Sequence, residues 1–151
     1  MVKRGEPAPT FRLPASNGNH VALQDFLGKR NVVIYFYPKD FSLGCTREAC
    51  KFMDLHAQFQ ELDAEVVGIS PDSEVSHEKF ARNEKLRFAL LSDLDGSVRR
   101  AYGVKSTLGL IPGRTTFVVD KSGIIRHVYA SQMHPERHAE EALKALRSLA
   151  G

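Results

Sequence analysis

Cys45 and Cys50 are the only thiols in this chain of 151 residues, and their setting favours reactivity. Cys45 follows Gly44 where a β-branched and aromatic run has ended and a helical pattern begins. Unpaired backbone N–H groups and the positive end of a helix dipole should therefore face its sulfur. Both favour the thiolate, the nucleophilic form of cysteine. The bland alternative is that both cysteines are small buried apolar residues, as free cysteine often is. A cysteine at a strand-to-helix turn with a second one five positions on argues instead for chemistry. Residues five apart on a regular helix have Cα atoms roughly 9 Å apart, whereas a disulfide spans at most about 7 Å. A bond between Cys45 and Cys50 within one chain would thus require the first turns of the helix to unwind.

The elements that must position these residues alternate between the two hydrophobic periods. Residues 7–30 carry Pro7, Pro9, Pro14, Asn17-Gly18-Asn19 and Gly28, and read as an extended lead-in with a hairpin at the Asn-Gly turn. Asn31 to Pro38 lacks alternation, as expected of a strand buried on both faces. Residues 45–62 place Ala49, Phe52, Met53, Leu55, His56, Phe59 and Leu62 at spacings of three and four, which predicts one amphipathic helix. A strand over 65–70, a polar-faced helix over 73–85, a strand over 88–91 and a short helix over 95–102 follow, then a Gly-rich loop over 103–113. Residues 115–120 and 124–129 flank Lys121-Ser122-Gly123 as an antiparallel hairpin. A last helix over 135–149 has Pro135 in its first turn and turns Ala139, Leu143, Leu146 and Leu149 inward. The fold class is α/β, a mixed sheet covered on both faces, in a single domain over 1–151.

Composition narrows the function. With 42% hydrophobic and 26% charged residues the chain is neither disordered nor fibrous. Its net charge of +3 is scattered rather than gathered, so no nucleic-acid partner is expected. Lys3 and Arg4 are not followed by an apolar run long enough for a signal peptide or spanning helix, and the expected location is the cytoplasm, with no membrane association. Two cysteines there are kept reduced unless their pairing is transient. Cys45, Cys50, His56 and His77 lack the paired short spacings of a structural zinc site. His134 and His138 read as solvated, and Gly103, Gly109 and Gly113 are not followed by the Gly-Lys-Ser/Thr of a phosphate loop.

Tyr37-Pro38-Lys39-Asp40 followed by Gly44-Cys45-Thr46-Arg47-Glu48-Ala49-Cys50 resembles the active-site loop of peroxiredoxins, specifically the peroxiredoxin Q or bacterioferritin comigratory protein branch. The resemblance continues through Val67 to Asp72, Leu91-Ser92-Asp93, Tyr102-Gly103-Val104 and Arg114 to Asp120, nearly the whole chain. It implies a thioredoxin-like fold with an N-terminal β-hairpin extension and a thiol peroxidase acting on hydrogen peroxide and organic hydroperoxides. In that reading Cys45 is the peroxide-reducing nucleophile and Cys50 its resolving partner in an intrachain disulfide. Pro38 shields the pocket, the Ser42 hydroxyl bonds the thiolate and peroxide oxygens, Arg114 supplies positive charge, and Glu48 orients the arginine. Thioredoxin or a similar dithiol is the implied reductant. No metal, haem, flavin or nucleotide cofactor is required, and a monomer is expected, though the sequence is compatible with a dimer. The chain departs from its branch at Phe41 and Leu43, where Asp and Pro are more typical, and has Ser42 for the commoner Thr. The two apolar residues point toward organic hydroperoxides.

Each residue also has a plainer role: Ser42 as a helix cap, Pro38 as a strand end, Arg114 as a surface charge and Glu48 as a partner of the helix dipole. Two further functions compete. A dithiol–disulfide oxidoreductase would also place a cysteine at the helix start, though such proteins usually carry Cys-x-x-Cys. A non-catalytic binding domain would leave both thiols inert.

Overall fold

The structure, a computed structural model, describes residues 1–107 and 111–150. The Asn17-Gly18-Asn19 turn joins β1 (Arg12–Pro14) to β2 (His20–Ala22) as an antiparallel hairpin in which Leu13 faces Val21. The buried run becomes β3 (Asn31–Phe36), pairing in parallel with β4 (Ala64–Ser70), which pairs in parallel with β5 (Ala89–Ser92). On the other side of β3 lies β8 (Thr115–Val119), antiparallel to both β3 and β9 (Ile125–Ala130). The five-stranded order is β5-β4-β3-β8-β9.

Alternation along β3 feeds two cores. Val33 and Tyr35 point to the face carrying α1 (Leu43–Asp54), α2 (His56–Glu61), α3 (Glu74–Asn83) and α5 (Arg137–Ala150). Val32, Ile34 and Phe36 point to the opposite face, where Phe11, Leu23, Tyr102 and Phe117 pack, Tyr102 coming from α4 (Ser97–Tyr102). The mixed α/β architecture and the hairpin match the sequence expectation.

Three expectations need correction. The helix expected over 45–62 starts two residues earlier and divides at Leu55, which leaves helical geometry with φ −99° and ψ 5°. Beyond the break, α2 buries Phe59 against Phe52, ring centroids 5.8 Å apart. The last helix begins at Arg137, because Pro135 lies in a preceding turn that Arg137 N–H closes by donating to His134 O at 3.2 Å. Within the expected Gly-rich loop, β6 (Ser106–Thr107) pairs with β7 (Ile111–Pro112); Gly109 lies outside the described residues.

Candidate active site

Chain reversal after β3 is what builds the site. Tyr37 N–H still donates to Ile69 O in continuation of the sheet, and the half-buried Pro38 then turns the chain into the loop over 38–42. Phe41 has φ +66°, a left-handed conformation that costs a bulky residue energy and persists only where its surroundings hold it. Its ring stands edge-on to Phe80, centroids 5.1 Å apart, although half of Phe41 is exposed. Ser42 is the N-cap of α1: its Oγ accepts from Cys45 N–H at 3.3 Å and donates to Lys39 O at 3.0 Å. The structure thus shows the capping role of Ser42.

Cys45 lies in the first turn of α1 and is 1% exposed. Arg114, at the entry to β8, brings Nη1 to 3.4 Å from Cys45 Sγ and to 2.6 Å from Glu48 Oε1. A buried guanidinium therefore bridges the thiol and a carboxylate that lie almost one helical turn apart. Two glycines fit it there. A Cβ at Gly113 would collide with the carbonyl of Lys105, and a Cβ at Gly44 would stand 3.0 Å from Arg114 Nη2. An open hollow of about 510 Å³ borders Arg114 and is lined also by Lys3, Lys105 and Gln132.

Electrostatics in this cluster are unbalanced. Burial pushes the Glu48 carboxyl up to about 8 against the opposing pull of Arg114. Burial acts to lower the Arg114 guanidinium, but the charges and hydrogen bonds of Glu48 and Cys45 leave it raised. Among the described residues, Glu48 Oε2 and Arg114 Nε have no hydrogen-bond partner.

His138 was expected in solvent and is instead fully buried behind Glu48, its Nδ1 3.7 Å from Glu48 Oε2. Nε2–H donates to Ser131 O at 2.7 Å, which leaves Nδ1 to accept from the Thr116 hydroxyl at 2.8 Å. This is a neutral ring, in keeping with a pKa that burial lowers to about 4. His134 is exposed, as expected. The signal for His138 was the four-residue spacing His138, Ala142, Leu146 on the inward face of α5.

A second buried cluster holds the loop from below. Asp40 Oδ1 accepts from the Tyr37 hydroxyl at 2.6 Å, and Oδ2 accepts from His77 Nδ1–H and the Ser76 hydroxyl, each at 2.7 Å. His77 Nε2 lies 3.0 Å from Leu91 O, so both ring nitrogens face acceptor oxygens. Asp72 ties in by accepting from Asp40 N–H at 2.8 Å and from the Ser70 hydroxyl at 2.7 Å. Ligand atoms of Asp40, Asp72 and His77 lie within 4.8 Å of one another, but these hydrogen bonds already occupy them. The zinc set considered from sequence is not assembled: His77 serves this cluster, and Cys50 Sγ–H donates to Glu84 Oε1 at 3.4 Å. Cys45 and Cys50 are both free thiols on one helix.

A buried thiol against a guanidinium at the head of a helix that follows a central strand defines a thiol-based oxidoreductase on a thioredoxin-like sheet. The AhpC/TSA family model matches residues 4–128. Peroxiredoxin Q of Sedum lineare, named as chloroplastic, is 49% identical over 98% of this chain and 80% of its own length. The chloroplastic peroxiredoxin Q of Oryza sativa subsp. japonica is 46% identical over 98% of this chain and 68% of its own. Among solved structures, peroxidoxin BcpB of Mycobacterium tuberculosis superposes with a TM-score of 0.91 at 38% identity, covering 99% of both chains. Xylella fastidiosa PrxQ gives 0.91 at 30% identity over 100% of this chain and 99% of that one. The chain belongs to the AhpC/TSA family, in its peroxiredoxin Q branch, and is a thiol-dependent peroxidase. Among the described residues, no helix is long and apolar enough to cross a membrane.

Proposed function

We propose that Cys45 reduces hydrogen peroxide and organic hydroperoxides, and that Cys50 resolves the product within the same chain. The observation that carries this reading is Arg114 Nη1 at 3.4 Å from the buried Cys45 sulfur. The guanidinium stabilises the thiolate, and its Nε, without a partner among the described residues, is a donor for a peroxide oxygen. The thiolate attacks one peroxide oxygen, the O–O bond breaks, and hydroxide or alkoxide leaves and takes a proton to become water or alcohol. Cys45 is left as a sulfenic acid.

Glu48 orients Arg114 through its 2.6 Å ion pair. Pro38 shields the pocket at the start of the loop. For Ser42 to serve the thiolate and the peroxide as well as the helix end, its hydroxyl proton turns away from Lys39 O, which accepts it here. The Cys50 thiol then condenses with the sulfenic acid to give a disulfide and water. Both cysteines lie within α1, so this step requires its first turns to unwind. Thioredoxin or a similar dithiol returns both sulfurs to thiols. Residues 1–151 act as one domain and as a monomer, since the resolving thiol is in the chain. The plant relatives are named as chloroplastic; we place this chain in the cytoplasm, where a thiol pool keeps both cysteines reduced between turnovers.

The test is intact mass after one equivalent of hydrogen peroxide on the fully reduced protein. Wild type should lose two hydrogens rapidly and Cys45→Ser should lose none. Oxidation no faster than that of a free cysteine would end the assignment of Cys45.

A further inference from the structure

The two thiols of α1 meet opposite surroundings. Cys45 faces the Arg114 guanidinium, whereas Cys50, five residues on and half-buried, donates its S–H to Glu84 Oε1 at 3.4 Å. Glu84 is the C-cap of α3, and its other oxygen accepts from Asn83 Nδ2 at 2.8 Å. The next residue, Lys85, turns left-handed at φ +55°, and Leu86 N–H returns to Ala81 O at 2.9 Å. The backbone that carries the carboxylate is therefore fixed by a closed helix end. Asp54 adds a second negative charge from α1 itself. His56 from α2, with Lys85 and Arg87 from the connection to β5, lines the adjoining hollow of about 430 Å³. Burial first, then the hydrogen bond and charge of Glu84 and the charge of Asp54, push the Cys50 thiol up.

We propose that Glu84 is a positioning residue for the resolving step: its carboxylate pins Cys50 to the end of α3 as a thiol while α1 is intact, and surrenders it when α1 unwinds. This rests on the reading of Cys50 as the resolving cysteine. Since the thiolate is the nucleophile, a pinned Cys50 is quiet toward peroxide and toward Cys45 while the helix stands. Unwinding carries it away from Glu84 and so supplies reach and reactivity together. The thiol proton then leaves to solvent, the sulfur attacks the Cys45 sulfenic sulfur, and the departing hydroxide takes up a proton as water. Glu84 is thus a brake on disulfide formation, and it lengthens the life of the sulfenic acid.

The experiment compares Glu84 with Glu84→Gln, which keeps the shape and removes the charge, in two backgrounds. In the Cys45→Ser protein, iodoacetamide labels Cys50 alone; the Gln variant should label about threefold faster near neutral pH, the gain in thiolate being offset in part by its lower nucleophilicity. Its labelling profile should shift to lower pH. With Cys45 present, one equivalent of hydrogen peroxide should oxidise Cys45 at an unchanged rate, while the disulfide closes about threefold faster and over-oxidation under excess peroxide falls in the same ratio. Unchanged labelling, or slower closure, would overturn the proposal, slower closure marking Glu84 as a proton acceptor instead. Labelling needs no peroxide cycle, so the two readings fail separately: no disulfide even in wild type removes Cys50 from the resolving role, while a disulfide with unchanged rates removes Glu84.

Discussion

Two histidines without exposed surface flank the cysteine turn, and their surroundings bond them in different ways. His77 lies between the Asp40 carboxylate and the Leu91 carbonyl, so both its nitrogens face acceptor oxygens. His138 lies between the Ser131 carbonyl and the Thr116 hydroxyl, so one nitrogen donates and the other accepts, and the ring stays neutral beside a carboxyl 3.7 Å away. Around His77 both carboxylate oxygens of Asp40 are satisfied. Around His138, Glu48 Oε2 and Arg114 Nε have no partner among the described residues. A satisfied buried network rigidifies, and one with vacancies can still change charge or accept a ligand. The lower cluster thus sets where the loop sits, and the upper one answers to what happens at sulfur.

That division can be broken by substitution. Arg114→Ala should slow the first peroxide reaction by about 10² to 10³-fold, the usual loss when a preorganised donor to developing charge is removed. It should cost little stability, because Glu48, already pushed up to about 8, can take a proton once its partner is gone. Stopped-flow oxidation read beside a urea melt separates the two. His77→Ala should do the reverse, lowering stability by about 3 kcal/mol because buried Asp40 loses its 2.7 Å partner, while the rate at Cys45 drops much less. If His77→Ala spares stability and removes activity, the comparison fails.

Glu48→Gln sharpens it through pH. A carboxyl held at about 8 in the folded state keeps a proton that the unfolded chain has already given up, so its contribution to stability is full below the ordinary carboxylate range and is lost as pH rises to about 8. His138, lowered to about 4, acts in the opposite sense as pH rises to its unfolded value of about 6.5. From about 6.5 to 8 Glu48 acts without that opposition. Wild-type stability by urea titration should decline over this interval, and the decline should flatten in Glu48→Gln. The smallest stability effect is expected for Ser42→Ala, about 1 kcal/mol for a lost N-cap; a peroxide rate left unchanged by that substitution would confine the hydroxyl to the helix end.

Much of this was legible in the residues. The unbroken apolar run of β3, the Asn-Gly hairpin and the cysteine at a strand-to-helix turn are local signals, and each was read where it stands. The Arg114 to Cys45 contact spans 69 positions and could be expected only through the family pattern. Pairings such as Asp40 with His77, 37 positions apart, leave no periodic trace. The turn at Pro135 looked like a helix start because proline suits both positions equally. His138, expected in solvent, is buried because its four-residue spacing to Ala142 and Leu146 puts it on the inward face of α5.

Gly44 leads further than its size suggests. The Arg114 guanidinium rests where a side chain of residue 44 would begin, with 3.0 Å between the two. The aim of the charge at sulfur is therefore gauged against bare backbone, and the tolerance is a few tenths of an ångström. A single methyl there would act as a shim, displacing the guanidinium while every reacting group kept its identity. The rate of such an enzyme could be retuned without altering any atom that takes part in the reaction.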